Sequence, residues 1–293
     1  GFMVKQMPHE FDAGMKVTRN GRFSQAVFNS YDIPFDDIYE SLIKQGYIPG
    51  VHIKTVVFDL TGKDVDRDAI KEAAETLNEG RAYVRFVGDF MVIFLYTKVA
   101  RDFTTISHDR IMSSLDETIH RPFDVLCGIS QMFEDLHEAG SAFKQALYAL
   151  EYRDFYRREM RIMREEHYEE IAAGAAFEQV VPYYLVEESC VDTAFVDFCL
   201  SQAFLTTILA DDIRNNTKNF QILWFYLAYE CNASSVGRRM FMHRNSVLYH
   251  LKQMEKRYDF SLERRYFREK LMLDFRLVFM NLSEASLNTL FEN

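Results

Sequence analysis

One stretch of the chain combines residue types and spacings suited to nucleic acid: Asn232-Ala-Ser-Ser-Val-Gly-Arg-Arg-Met-Phe-Met-His-Arg-Asn-Ser-Val-Leu-Tyr-His-Leu-Lys252. Its apolar residues recur at helical spacing on either side of Met242-His243, which predicts helix, tight turn, helix. Ser234 is the expected cap of the first helix, which runs to Phe241, and Gly237 is small where the two helices must cross closely. In the second helix Val247, Leu251 and Met254 are expected to face inward. A helix laid in the major groove offers its N-terminal side chains to base edges. Arg244, Asn245 and Ser246 are therefore the expected readers, the guanidinium suited to guanine and the carboxamide to adenine. Arg238, Arg239, Lys252, Lys256 and Arg257 would neutralise phosphates, a role that needs only charge and reach. The same periodicity also suits a pair of packing helices with a basic outer face, so spacing alone leaves both readings open.

Charge separates them. The 293 residues carry 34 Lys and Arg against 44 Asp and Glu, a formal net charge of -10, and a body so acidic repels a polyanion. Residues 232–276, however, hold 11 Lys and Arg against 5 Asp and Glu. A basic module on an acidic body is the expectation, since packing helices have no need to concentrate cations.

The elements that must position this module follow from hydropathy. At roughly 100 to 200 residues per domain the length suggests two domains, and a composition that is 48% hydrophobic can fill more than one core. The longest apolar stretch, near 221–229, is far shorter than the roughly 18 to 20 residues needed to span a bilayer, which argues against a membrane protein. Residues 1–35 show no sustained period and stay unassigned. A short helix from Asp36 to a Gly46 stop precedes a strand over Val51–Leu60. Asp66–Glu79 then reads as a helix with Ile70, Ala73, Ala74 and Leu77 on one face, closed by Gly80. Ala82–Val87 and Phe90–Tyr96 read as a hairpin joined by Gly88-Asp89, whose leading glycine suits a type II′ turn. A helix capped by Ser107, a buried strand over Val125–Ser130 and a helix over Asp135–Arg153 complete a β-α-β-β-α-β-α order. That order is an α+β sandwich, one sheet covered by helices. Beyond it the chain reads as all-α apart from an ambiguous Val180–Val186, with substantial helices over Val191–Leu209 and Asn219–Glu230. Phe195–Leu209 is apolar on more than one side and reads as a core helix or a dimer seam.

The run from Phe241 to Lys252 resembles the signature of the PucR and CdaR group of bacterial transcription regulators, Phe-x-His-Arg-Asn-Thr-Leu-x-Tyr-Arg-Leu. Phe241, His243, Arg244, Asn245, Tyr249 and Leu251 match it, and Ser246 and Val247 are near substitutions. Leu248 and His250 stand where the group usually carries basic residues, so affinity is expected to be weaker, or partly pH-dependent through His250. The resemblance adds His243, Tyr249 and His250 to the DNA-binding candidates. It implies a cytoplasmic, DNA-binding regulator, and a single helix-turn-helix usually works as a two-fold homodimer on spaced half-sites. An unknown small-molecule effector is a further implied partner, and neither a cofactor nor a membrane is expected. In that group a degenerate, nucleotide-cyclase-like (GGDEF-like) domain commonly precedes the all-α helix-turn-helix domain, and the derived order fits it. The expected divisions are 1–35 unassigned, 36–160 GGDEF-like and regulatory, 161–215 a helical connector, 216–282 the DNA-binding domain and 283–293 a tail.

An active cyclase of that fold resembles Gly-Gly-Asp/Glu-Glu-Phe at the hairpin, where this chain has Val87-Gly88-Asp89-Phe90-Met91. Cyclase chemistry needs carboxylates for two divalent cations and a backbone that cradles phosphate. Val87 replaces the first glycine and Phe90 the catalytic glutamate, so catalysis is not expected. A competing reading, a signalling receptor or residual cyclase holding nucleotide and Mg²⁺ on Asp59 and Asp89, competes with the plainer roles of a strand-end and a turn aspartate. No HExxH, phosphate loop or GxSxG elbow occurs, and the eight histidines are scattered. Cys127, Cys190, Cys199 and Cys231 form no CxxC pair and read as reduced thiols. The chain opens on Gly1 without the apolar core of a signal peptide, and the natural protein is expected to extend upstream.

Overall fold

The computed structural model describes residues 40, 43–44, 50–77, 81–98, 108–119, 125–163, 174–188 and 204–291. The chain forms two compact units that divide near residue 181. The expected helix from Asp36, the Gly80 stop, the Ser107 cap, residues 191–203 and the unassigned 1–35 lie outside the described residues, wholly or in most part.

The first unit is a five-stranded sheet with helices on both faces. Its elements are β1 (His52–Asp59), α1 (Arg67–Glu75), β2 (Ala82–Val87), β3 (Phe90–Thr97), α2 (His108–Ile119), β4 (Leu126–Ile129), α3 (Ala139–Met163) and β5 (Gly174–Ala176). The sheet order is β2-β3-β1-β4-β5, antiparallel except for the β4–β5 pair. Because the side-chain period of a strand is two, β3 divides its apolar run between two cores. Val92, Phe94 and Tyr96 join the core under α3, while Met91, Ile93 and Leu95 join that under α1 and α2. Burial on both faces explains why β3 reads as a continuous hydrophobic run.

The predicted hairpin forms, with Gly88 at a φ of 58° between the paired Val87 and Phe90. Asp66 caps α1 by accepting from the Asp68 and Ala69 amides. α3 lies so close to β4 that a Cβ on Gly128 would sit 1.9 Å from the Ala146 carbonyl oxygen. That contact explains the run of small residues, Ala139, Ala142, Ala146 and Ala149, on the buried face of α3. The fifth strand, only three residues long, has no periodicity for a sequence reading to detect.

The division between units falls within α4 (Phe177–Glu188), which corrects the ambiguous strand over Val180–Val186: Val180, Tyr183 and Val186 are buried at spacings of three. In the second unit follow α5 (Phe204–Asn215), α6 (Asn219–Ala228), α7 (Ala233–Met240), α8 (Arg244–Tyr258), α9 (Arg265–Asn281) and α10 (Glu284–Phe291). The fully buried Trp224 of α6 meets Phe275 and Phe279 of α9 at ring-centroid distances of 5.3 and 4.8 Å. Residues 284–291, read from sequence as part of a tail, are instead helical. Leu287 and Phe291, four apart, are both buried, and Phe291 packs edge-on against Phe225 and Phe279.

Two adjacent carboxylates at the end of α5 fix the helices that follow. Asp212 Oδ2 accepts the Phe220 amide at 2.7 Å and Oδ1 accepts from Asn219 Nδ2 at 3.0 Å and from the Thr217 hydroxyl, which ties down the start of α6. Asp211 Oδ2 accepts the Tyr258 hydroxyl and pairs with Arg257, both at 2.7 Å, and so holds the far end of α8. Burial, reinforced by the Asp211 carboxylate, pushes the Tyr258 phenol up to about 12.

Candidate nucleic-acid interface

The expected helix, turn and helix are present as α7, residues 241–243 and α8. Asn232, not Ser234, caps α7: its Oδ1 accepts the Ser234 and Ser235 amides at 3.0 and 3.2 Å. Asparagine and serine both serve as N-caps, and the side chain two and three residues ahead of these free amides is the one that reaches them. Ala233, Val236 and Gly237 form the buried side of α7.

The turn is tight. Phe241 adopts left-handed backbone, φ 54° and ψ 42°, and the Met242 amide donates to the Gly237 carbonyl at 2.9 Å. A Cβ on Gly237 would lie 2.7 Å from the Met242 carbonyl oxygen and 3.5 Å from the Arg244 nitrogen. The start of α8 thus rests directly on glycine backbone. His243 caps α8, its Nδ1 accepting the Asn245 amide at 3.2 Å, which puts the ring hydrogen of this tautomer on Nε2. Val247, Leu251 and Met254 are buried, as their spacing predicts.

The outward residues are the candidate readers. Arg244, Asn245 and Ser246 are all exposed on the first turn of α8, beside the exposed His243. There the partial positive charge of the helix start adds to the Arg244 guanidinium, so the end of α8 favours an anion. Arg238, Tyr249, Lys252 and Lys256 are exposed as well. Arg238 Nη2 donates to Ser235 Oγ on its own helix at 3.2 Å. Lys252 also lines a cavity of about 400 Å³ with Tyr226, Cys231, Leu251, Glu255 and Arg268.

Three basic candidates engage partners within their own unit. Arg239 is half-buried with its guanidinium 4.8 Å from the Phe225 ring centroid. His250 is half-buried and shares a 3.1 Å hydrogen bond through Nδ1 with Asn219 Oδ1. Arg257 is committed to Asp211. Partners on α5 and α6 draw Arg239 and His250 inward and pair the exposed Arg257 with a carboxylate, and a charge count cannot show it.

The carboxylates of the competing reading lie at neighbouring positions in the first unit. Asp59 is buried at the end of β1, and its Oδ1 accepts the Thr61 amide at 3.0 Å, while Asp89 pairs with Arg67 at 3.5 Å. Among the described residues no three His, Cys, Asp or Glu side chains group to hold a metal ion. No helix among the described residues is long and apolar enough to cross a membrane.

Residues 220–277 match the PucR C-terminal helix-turn-helix domain, a span from the start of α6 to within α9. No curated protein matches the chain. Among solved structures, the regulator of polyketide synthase expression from Bifidobacterium adolescentis aligns over 84% of this chain and 87% of its own, at 13% identity and a TM-score of 0.35. No shared architecture follows from a score that low.

Proposed function

We propose that the protein is a cytoplasmic transcription regulator that binds double-stranded DNA by laying α8 in the major groove. The observation that carries this reading is the exposed triplet Arg244, Asn245 and Ser246 on the first turn of a helix seated on Gly237, within a segment whose cations outnumber its acids. The match over 220–277 supports it independently of the charge argument. In this reading Arg244 and Asn245 contact guanine and adenine edges, Ser246 hydrogen-bonds either, and Arg238, Lys252 and Lys256 neutralise phosphates. His243 orients the first turn by capping it, and Tyr249 lies along the same exposed face. Arg239 and His250 act from beneath, by fixing α7 and α8 against α6.

The sheet unit serves as a regulatory or dimerisation module of cyclase-like type, a role supported by its element order and by the Val87-Gly88-Asp89-Phe90 hairpin. Two copies present two reading helices to half-sites about one helical turn apart, roughly 10 base pairs, and a small effector acts through the sheet unit. The pairing of Asp89 with Arg67 argues against the receptor reading, because a metal would have to displace that guanidinium.

Gel shift of the full chain against duplexes selected from a randomised library, repeated across a salt series, tests the proposal. Arg244→Ala and Asn245→Ala should each cost about 1–3 kcal/mol on selected sequence and little on random sequence. Lys256→Ala should weaken both and lower the salt slope by about one. If selection enriches no sequence, or if the two base-reading variants bind like the parent, the assignment is wrong.

A further inference from the structure

Phe241 is the most exposed large apolar residue described, at 92% relative exposure. Its backbone is left-handed, φ 54° and ψ 42°, a region in which the Cβ of a bulky residue crowds the following carbonyl and which glycine or asparagine occupies far more readily. Either feature alone is ordinary, since single exposed apolar residues are common. Together they describe a large ring standing in water on a strained backbone, at a turn where a smaller residue would suit the fold better. Folding stability gives no reason for a phenyl group here. The turn itself is held by the Met242 amide on Gly237 and the Asn245 amide on His243, and neither bond uses the ring.

Position supplies the reason. Phe241 lies in the three-residue turn that ends at the exposed cap His243, directly before Arg244, Asn245 and Ser246, and Arg238 precedes it by one helical turn. On the DNA-binding reading, on which this inference rests, that corner of the molecule faces the duplex. The apolar feature that a major groove offers is the 5-methyl group of thymine, and phenylalanine is among the side chains that meet it. We infer that Phe241 is a specificity-determining residue that packs its ring on a thymine methyl beside the base pairs read by Arg244 and Asn245. It adds to those readers a contact that discriminates thymine from cytosine without a hydrogen bond.

The test uses the full chain and a duplex selected by it from a randomised library, with each thymine replaced in turn by deoxyuridine, which removes only the methyl group. The parent should bind about fourfold more weakly at one thymine in each half-site, the worth of one buried methyl. Phe241→Ala should bind the unsubstituted duplex several-fold more weakly and show no further loss at that thymine. Phe241→Asn, better suited to left-handed backbone, should melt at a higher temperature than the parent and still lack the thymine preference. Identical uracil profiles for parent and Phe241→Ala overturn the inference, as would a ring required by a protein partner alone. A lower melting temperature or failure to fold in both variants also overturns it, because the ring would then serve the fold. If the parent selects no duplex at all, the DNA-binding reading fails first, and that outcome is distinct from a flat uracil series on a duplex that binds.

Discussion

Replacing Gly237 by alanine sets two known effects against each other. Gly237 lies inside α7, where alanine is favoured over glycine by about 1 kcal/mol, so propensity alone predicts a more stable protein. The added Cβ, however, falls 2.7 Å from the Met242 carbonyl oxygen and 3.5 Å from the Arg244 nitrogen. The obstacle is backbone, pinned by the 2.9 Å bond from the Met242 amide back to Gly237, and it cannot rotate away as a side-chain tip would. Overpacking of this kind costs about 1–3 kcal/mol, and a fixed carbonyl places the cost in the upper half, so the net loss should be about 1–2 kcal/mol. For a unit of this size that corresponds to a fall of roughly 5–15 °C in its melting transition. Gly140, near the start of α3, is the matched control: a Cβ there meets nothing within 4 Å, so Gly140→Ala should hold or raise stability. Scanning calorimetry of both variants resolves the sign, and on the proposed DNA-binding reading gel shift should show weaker binding by Gly237→Ala. A higher melting temperature for Gly237→Ala would refute the claim that α7 and the start of α8 meet at this glycine.

The remaining predictions concern the cap and the far end of α8. Asn232→Ala should lower the melting temperature by the equivalent of about 1 kcal/mol while Ser234→Ala changes little, and equal effects would show that the cap is shared. The Tyr258 phenol, raised from 10.0 to about 12 when folded, binds its proton more tightly in the native than in the unfolded state. Its contribution is therefore complete below pH 10 and is lost as the pH rises toward 12. Urea titrations between those limits should show a steeper loss of stability for the parent than for Tyr258→Phe, and parallel curves would show that the native state does not hold the Tyr258 proton more tightly. Tyr96 and Tyr226 are raised by burial too, so the comparison has to be made between variants and not from the parent curve alone.

What could be read from sequence was whatever the chain encodes locally. The inward set Val247, Leu251 and Met254, the hairpin around Gly88 and the face of α1 each follow from a period of 3.6 or 2 imposed by one backbone geometry, so neighbours a few residues away suffice to place them. The exposure of Asn245 and Ser246 follows in the same way, whereas Arg244, three residues before Val247 and seven before Leu251, shares the inward stripe and is exposed because it stands at the very start of α8.

Partners distant in sequence decided the rest. Arg239 lies over Phe225, His250 bonds Asn219 and the exposed Arg257 pairs with Asp211, each engaged by a group on α5 or α6 that no local pattern reveals. The last helix reads as a tail because its few apolar residues acquire meaning only against the aromatic cluster that receives Phe291. Burial and hydrogen bonding depend on what the tertiary fold brings alongside, whereas periodicity depends only on the bond geometry repeated at every residue. The amino-acid order therefore determined which elements form and which helix offers its N-terminal turn, and three-dimensional packing decided which of its cations are engaged within the unit and which are left exposed without such a partner among the described residues.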